Sequence, residues 1–275
     1  MAAMNQIAAF RAAAAEQGAT PAEIDTWLAT TRICLELTTA GTGPVAGQIG
    51  GHPIMPDDQP WPKGPTGEDL PLLAAIDCAA LPRDTDAGNL LPADGRLLFF
   101  MNYDEYYFDG GEGFTEQDYF RVLHVPSGGS EHRGEQSHDR VDLFVTVRLT
   151  CGDNDFRTDG DDSHPLTRLA LEFWPAAGQP GPDRLRIGGH GDVAHNSPET
   201  TVVDVLAERG EVRRHENWEE FSRLHDQVMR DWIPLAQFGL PGEDDEFTNA
   251  RFMIRRADLA EPRFDRVISS TEFGG

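Results

Sequence analysis

Lysine is almost missing from this chain. Of 23 basic residues set against 47 acidic ones, only Lys63 is a lysine, and the formal charge at pH 7 is -24. A surface of that sign repels phosphate backbones and anionic lipid, which argues against nucleic acid and membrane as partners. The nearest thing to a basic patch, Arg209, Arg213 and Arg214, is interleaved with Glu208, Glu211 and Glu216. Cysteine is scarce as well. Cys34, Cys78 and Cys151 stand far apart with no Cys-x-x-Cys pair, which argues against a structural zinc knot and predicts free, mostly buried thiols in a reducing compartment. No apolar run approaches a membrane span. The residues from Met1 to Ile7 lack the basic region and long apolar core of a secretion signal, so the cytoplasm is the expected location. Signatures of catalysis are also missing. There is no Gly-x-Ser-x-Gly or His-Glu-x-x-His, and Ser137-His138-Asp139 is contiguous, which does not let the three side chains face one another as a triad.

What the chain does have is repetition. Ile49-Gly50-Gly51-His52 recurs as Ile187-Gly188-Gly189-His190. In the first copy Trp61, the apolar run Leu72 to Asp77 and Arg96 to Phe100 follow. In the second the order is Trp232, Pro234 to Phe238 and Arg251 to Ile254. Ordered repetition of this kind predicts a duplicated β unit, with Trp61 and Trp232 buried at related positions.

The local pattern agrees with a β-rich body. The first forty residues read as helix: an alanine-rich stretch closes at Gly18, then Thr20-Pro21-Ala22-Glu23 forms a capping box. Ile24, Trp27, Leu28, Thr31 and Leu35 continue at helical spacing. From Val45 to Phe100 eight prolines exclude long helices, leaving short strands such as 70–76 and 96–101. Strands are also predicted over 120–125, 141–149 and 169–174, with 127–139 and 151–163 as polar loops. Helices are expected to begin at Ser197-Pro198-Glu199 and after Asn217, followed by strands at 235–238 and 250–255. The expected class is α+β: β-rich, internally duplicated antiparallel sheets with an N-terminal helical segment over 1–44 and peripheral helices. Residues 45–275 form one compact domain of two coupled halves, about 45–175 and 176–275.

The ordered motifs also resemble the YwqG-like family, a domain of unknown function (DUF1963). The resemblance rests on Gly50-Gly51-His52-Pro53 with Pro56, Trp61-Pro62, the run from Leu70 to Asp77, and Leu91-Pro92 through Gly95 to Phe100. Gly188-Gly189-His190, Trp232 through Gln237, Phe252 to Ile254, and Asp258-Leu259 with Phe264-Asp265 complete it, so it spans about residues 45–268. It implies a β-rich, internally duplicated body. It supplies no catalytic residues, because none are established for the family. Some members lie near secreted-toxin and immunity genes. The chain departs from the family pattern at Ala75, where a Gln is usual, and at His190, Gly191 and His195, which replace Tyr, Pro and Gln. Gln237 is retained.

Four constellations bear on function. The Gly-Gly pairs lack the further glycines and the following helix of a phosphate loop, so they read as turns needing positive φ. His190, Asp192 and His195 have the ligand types and closeness of a loop metal site. The acids between Asp153 and Asp162 do not fit a calcium-binding EF-hand loop, because Arg157 and Leu166 fall at ligand positions. The stretch from Phe99 to Phe120 holds nine aromatic residues, six acids and no Lys or Arg. Tyr103, Tyr106, Tyr107 and Asp109 at its centre suit a basic protein partner or a cationic small molecule. The expected function is therefore that of a cytoplasmic binding protein, one that recognises a basic partner or neutralises a toxin, with Gln237 as a further ligand candidate and no cofactor. The alternative is a metal-assisted enzyme, such as a hydrolase, using a divalent metal at His190, Asp192 and His195.

Overall fold

Short apolar segments that alternate with single polar residues build this chain into one antiparallel sheet. A computed structural model describes residues 2–41, 43–83, 85–102, 113–134, 139–151, 165–173, 184–191, 196–241 and 247–274. Its strands are β1 (Thr31–Thr38), β2 (Val45–Ile49), β3 (Ile54–Met55), β4 (Leu72–Asp77), β5 (Arg96–Met101) and β6 (Phe120–Val125), then β7 (Ser130–Glu131), β8 (Val141–Cys151), β9 (Arg184–Gly188), β10 (Trp232–Pro241), β11 (Phe247–Arg255) and β12 (Ile268–Gly274). Ten of them form a sheet in the order β12-β11-β10-β9-β1-β8-β2-β4-β5-β6, and β3 pairs with β7. The helices are α1 (Ala2–Glu16), α2 (Pro21–Leu28), α3 (Asp86–Leu90), α4 (Pro165–Phe173), α5 (Pro198–Glu208), α6 (Trp218–Asp231) and α7 (Arg256–Ala260).

The sheet is nearly closed into a barrel. Two wings meet around its interior: β2-β4-β5-β6 on one side and β9-β10-β11-β12 on the other, with β1 and β8 between them. Phe99 of β5 lies 5.2 Å from Phe238 of β10 and 5.3 Å from Phe252 of β11, and Phe120 of β6 lies 5.7 Å from Phe252. Burying each ring is worth roughly 1.5–3 kcal/mol. The residues that alternate with this core face outward. There α1, α2 and α4 cover the end of β8 with Phe10, Trp27, Leu166 and Leu169 against Leu149. Val202, Val203 and Leu206 of α5 and Val228 of α6 cover Trp232, Met253 and Ile268. The proline-rich segment after β2 covers the first wing with Met55, Leu70 and a half-buried Trp61, whose indole N–H donates to the Leu70 carbonyl at 2.9 Å.

A side chain bridges the seam between the outermost strands. Gln117 sits in a short 3-10 turn, Glu116–Asp118, just before β6. Its amide nitrogen donates to the Ser269 carbonyl at 2.8 Å, and its amide oxygen accepts from the Ser269 N–H at 3.1 Å. One primary amide thus answers both backbone groups of a β12 residue, as a neighbouring strand would.

Local signals at helix starts read correctly. Thr20 and Glu23 cap each other, Ser197 accepts from the Thr200 N–H, and Asn217 from the Glu220 N–H. Two expectations are corrected. The helical reading that ran through Thr31 and Leu35, and with it the all-helical segment 1–44, stops at Leu28: Thr31–Thr38 is the strand that pairs with both β8 and β9. Leu35 and Leu37 enter the core while Glu36 faces the other way, a period of two. The strand expected over 169–174 is, for its described residues, part of α4. Leu166, Leu169, Ala170 and Phe173 recur at helical spacing and pack on α1 and α2.

If the seam depends on that one amide, Gln117→Ala should cost about 1–3 kcal/mol by leaving the buried Ser269 backbone groups without a partner. Hydrogen exchange at the Ser269 amide should quicken in parallel. Unchanged exchange there would show that the seam closes by other means.

Candidate functional site

Register places one polar residue from each of six strands side by side on the outer face of the sheet. Thr146 of β8 is opposite Glu36 of β1, Glu36 opposite Arg186 of β9, and Arg186 opposite Gln237 of β10. Gln237 is opposite Arg251 of β11, and Arg251 opposite Ser270 of β12. Glu36, Arg186, Gln237 and Arg251 are each no more than 2% exposed. Charges this deep are costly unless they are paired and hydrogen-bonded. Glu36 is flanked by Arg148 and, at 3.7 Å, by Arg184. Arg251 meets Glu272 at 3.1 Å.

What this row supports is the loop between β9 and α5. At its start, the Gln237 amide donates to the His190 carbonyl at 3.0 Å, and the His190 N–H donates to the Thr150 hydroxyl at 3.0 Å. At its end, Arg251 donates to the Asn196 carbonyl at 2.8 Å, and Glu272 accepts from the Asn196 N–H at 2.7 Å. The buried ion pair therefore works as a clamp on the loop backbone, and Gln237 as the second clamp. The loop leaves β9 through Gly188 and Gly189, with φ of 70° and 80°. Only glycine fits Gly189: a Cβ there would lie 2.7 Å from the Thr150 hydroxyl and 2.9 Å from Cys34 Cβ. The positive φ expected of both Gly-Gly pairs is present.

His190 lies at the loop's entry with its ring Nε2 2.8 Å from the Thr30 carbonyl. A carbonyl only accepts, so Nε2 carries the proton of this contact. Asp192 and His195, the other expected metal ligands, lie outside the described residues, as do Tyr103, Tyr106, Tyr107 and Asp109. Among the described residues no group of three or more His, Cys, Asp or Glu could hold a metal ion. The described end of the aromatic–acidic stretch divides: Tyr119 is buried and Phe114 is exposed. Glu116 contributes to the same neighbourhood. Its carboxylate accepts from the Ser269 hydroxyl at 3.2 Å. Burial pushes its pKa up to about 7, against the pull of that hydroxyl, of Arg251 and of Thr271. Cys34 and Cys78 are buried, and burial pushes the Cys78 thiol up to about 11.

Gln237 is marked in the sequence as a ligand candidate, whereas Glu36, Arg186, Arg251 and Glu272 are not singled out. The signal that could have found three of them is a charge set between two core residues: Glu36 between Leu35 and Leu37, Arg186 between Leu185 and Ile187, and Arg251 between Ala250 and Phe252.

A family model described as "Domain of unknown function (DUF1963)" matches residues 47–272. The chain belongs to that family. No curated protein compared with the chain matches it. No helix among the described residues is long and apolar enough to cross a membrane.

Two measurements check this site. Arg251→Met strands Glu272 and the Asn196 carbonyl, and should cost about 3–5 kcal/mol in urea unfolding. Adding Glu272→Leu should recover a good part of that loss; a double variant as unstable as the single one would mean that charge pairing is not the cause. For Glu116, the native pKa is raised above the ordinary value of 4.5, so the unfolded chain releases its proton first. Its contribution to stability therefore falls as pH rises from about 4.5 to about 7, and the whole penalty is present above pH 7. Glu116→Gln should flatten that slope and raise stability at alkaline pH by about 1–2 kcal/mol. An unchanged pH profile of unfolding would contradict this.

Proposed function

We propose that this member of the DUF1963 family is a cytoplasmic binding protein whose partner is a protein with a basic surface. The observation that carries the reading is Trp218. It opens α6 with 77% of its surface exposed, although tryptophan is normally largely buried. It is held in place rather than dangling. Its ring stacks on Phe221 at 5.2 Å, and Phe221 in turn lies 5.1 Å from His215 and 5.7 Å from His225. Asn217 caps the helix beneath it. A large ring already fixed in one position loses little entropy on binding and makes an effective anchor. Glu216, Glu219 and Glu220 flank it, and the chain as a whole carries -24. Long-range attraction would steer a basic surface to this anchor. Tyr103, Tyr106, Tyr107 and Asp109, outside the described residues, supply the same residue types in sequence, and a basic toxin is one partner that such chemistry suits.

We also infer that the sheet derives from a duplicated unit of the YwqG-like type. Three features support this. The strand order reads β2-β4-β5-β6 outward on one side and β9-β10-β11-β12 on the other. Two residues before each Gly-Gly pair, Gln48 is opposite Ala75 and Arg186 is opposite Gln237. The ladders from β4 to β5 and from β10 to β11 shift register at matching places, Leu72/Ala74 and Pro234/Ala236. Trp61 and Trp232 do not correspond, since Trp232 lies in β10 opposite Arg255 whereas Trp61 precedes β4. On this alignment the buried polar row Arg186, Gln237, Arg251 and Ser270 replaces Gln48, Ala75, Leu98 and Leu123 of the first wing. The wing that clamps a loop is thus the polar one.

The test is capture of a partner from native lysate, followed by kinetics with that purified protein. Trp218→Ala should weaken binding at least tenfold, and rising salt should slow association more than it speeds dissociation. Equal binding by the variant, with association indifferent to salt, would refute the reading. Stoichiometric metal in untagged protein, lost in His190→Ala, would instead support the metal-assisted enzyme built on His190, Asp192 and His195.

A further inference from the structure

Two arginines that line one cleft beside the Gly188-Gly189 turn, Arg32 and Arg256, form no ion pair among the described residues. The cleft has a volume of about 540 Å3, within the range of roughly 300–1,000 Å3 usual for small-molecule sites. It lies where α1, α2, the start of β1, the end of β8, the exit of β9 and the start of α7 converge. Arg32 and Arg256 both line it, with the Asn89 side chain at hand. Arg11, on the rim, has Asp25 at 2.6 Å. Arg256 is oriented by a bond from its Nε to the Arg230 carbonyl at 3.3 Å. Arg32 is half-buried and has its pKa lowered first by that burial and further by Arg256, while Glu199 opposes the shift from beyond ion-pair distance. Two guanidinium groups that repel each other at a part-buried site are a standing demand for an anion between them.

The walls name the rest of the ligand. Ile7, Leu28, Ile33, Leu149 and Ile233 present aliphatic surface, and none of the described residues lining the cleft is aromatic. That arrangement lacks the stacking surface a nucleobase would use and suits a flexible hydrocarbon. A guanidinium fork matches a carboxylate in plane and spacing. We propose that this cleft binds a small carboxylate with an aliphatic body, its head between Arg32 and Arg256 and its chain along Ile33, Leu149 and Ile233. This site is separate from the Trp218 surface, and either can fail without the other.

The experiment is titration of the full chain with octanoate by calorimetry, alongside acetate, octylamine and inorganic phosphate. Octanoate should bind one to one, and acetate and phosphate at least tenfold more weakly, because they lack the aliphatic body. Octylamine should not bind, because its head carries the wrong charge. Arg256→Gln, at an exposed position where folding is not at stake, should weaken octanoate at least tenfold, and Arg32→Gln should do the same with its melting temperature measured in parallel. Four results overturn the proposal: no octanoate binding, binding unaffected by Arg256→Gln, octylamine binding as well as octanoate, or phosphate binding as tightly as octanoate.

Discussion

Everything else in this structure depends on the contact of four phenylalanines across the interior of one rolled sheet. Phe99 and Phe120 come from one wing, Phe238 and Phe252 from the other, and they meet at 5.2–5.7 Å. The phenylalanines of one wing lie more than a hundred residues in sequence from those of the other, so this contact is long-range and its burial must offset a large loop-closure entropy. Once it is made, the faces of the strands are assigned. One face of most wing strands belongs to the aromatic core, and whatever alternates with it is forced outward. The polar row from Glu36 to Ser270 exists because of that assignment. Those residues cannot turn inward without displacing the rings.

This division explains what could be read from the sequence. Strands such as Arg96 to Met101 and Phe120 to Val125 were legible because apolar content and turn residues mark them locally. Cap residues Thr20, Ser197 and Asn217 were legible because capping chemistry is local too. The segment from Thr31 to Thr38 was misread because Thr31 and Leu35 extend the spacing of the helix before it, and only pairing with β8 and β9 settles the matter. The error at 169–174 has the same origin, since a short apolar run serves a helix or a strand until its neighbours are known. The site was the least legible part. A charged residue within a strand normally points to water, and nothing near Arg251 in the sequence tells that a loop ending at Asn196 will cover it.

The shortage of cations gives each of them weight. With nearly all of them arginine, the chain holds planar, multiply donating groups that can satisfy carboxylates and carbonyls together. Arg251 does both, reaching Glu272 and the Asn196 carbonyl. Arg83 is spent wholly on the backbone, donating to the carbonyls of Cys78, Gly88, Leu91 and Pro92 to tie down the turn around α3. A lysine's point charge could not span such sets. The near absence of lysine therefore suits positions such as Arg83 and Arg251, where one cation is a structural part.

The Gln117 bridge bears on how the protein avoids its own kind. A sheet that stops short of closure leaves a border whose N–H and C=O groups would template another chain. Here the Ser269 position on that border is already occupied by an amide that mimics a peptide bond. The decoy is part of a turn and cannot propagate, so it ends the ladder instead of extending it. This removes one rung from the template that the last strand would offer another copy. It also ties that protection to a neutral side chain, which ionic strength and pH leave untouched, while the acidic surface that otherwise keeps copies apart is weakened by salt.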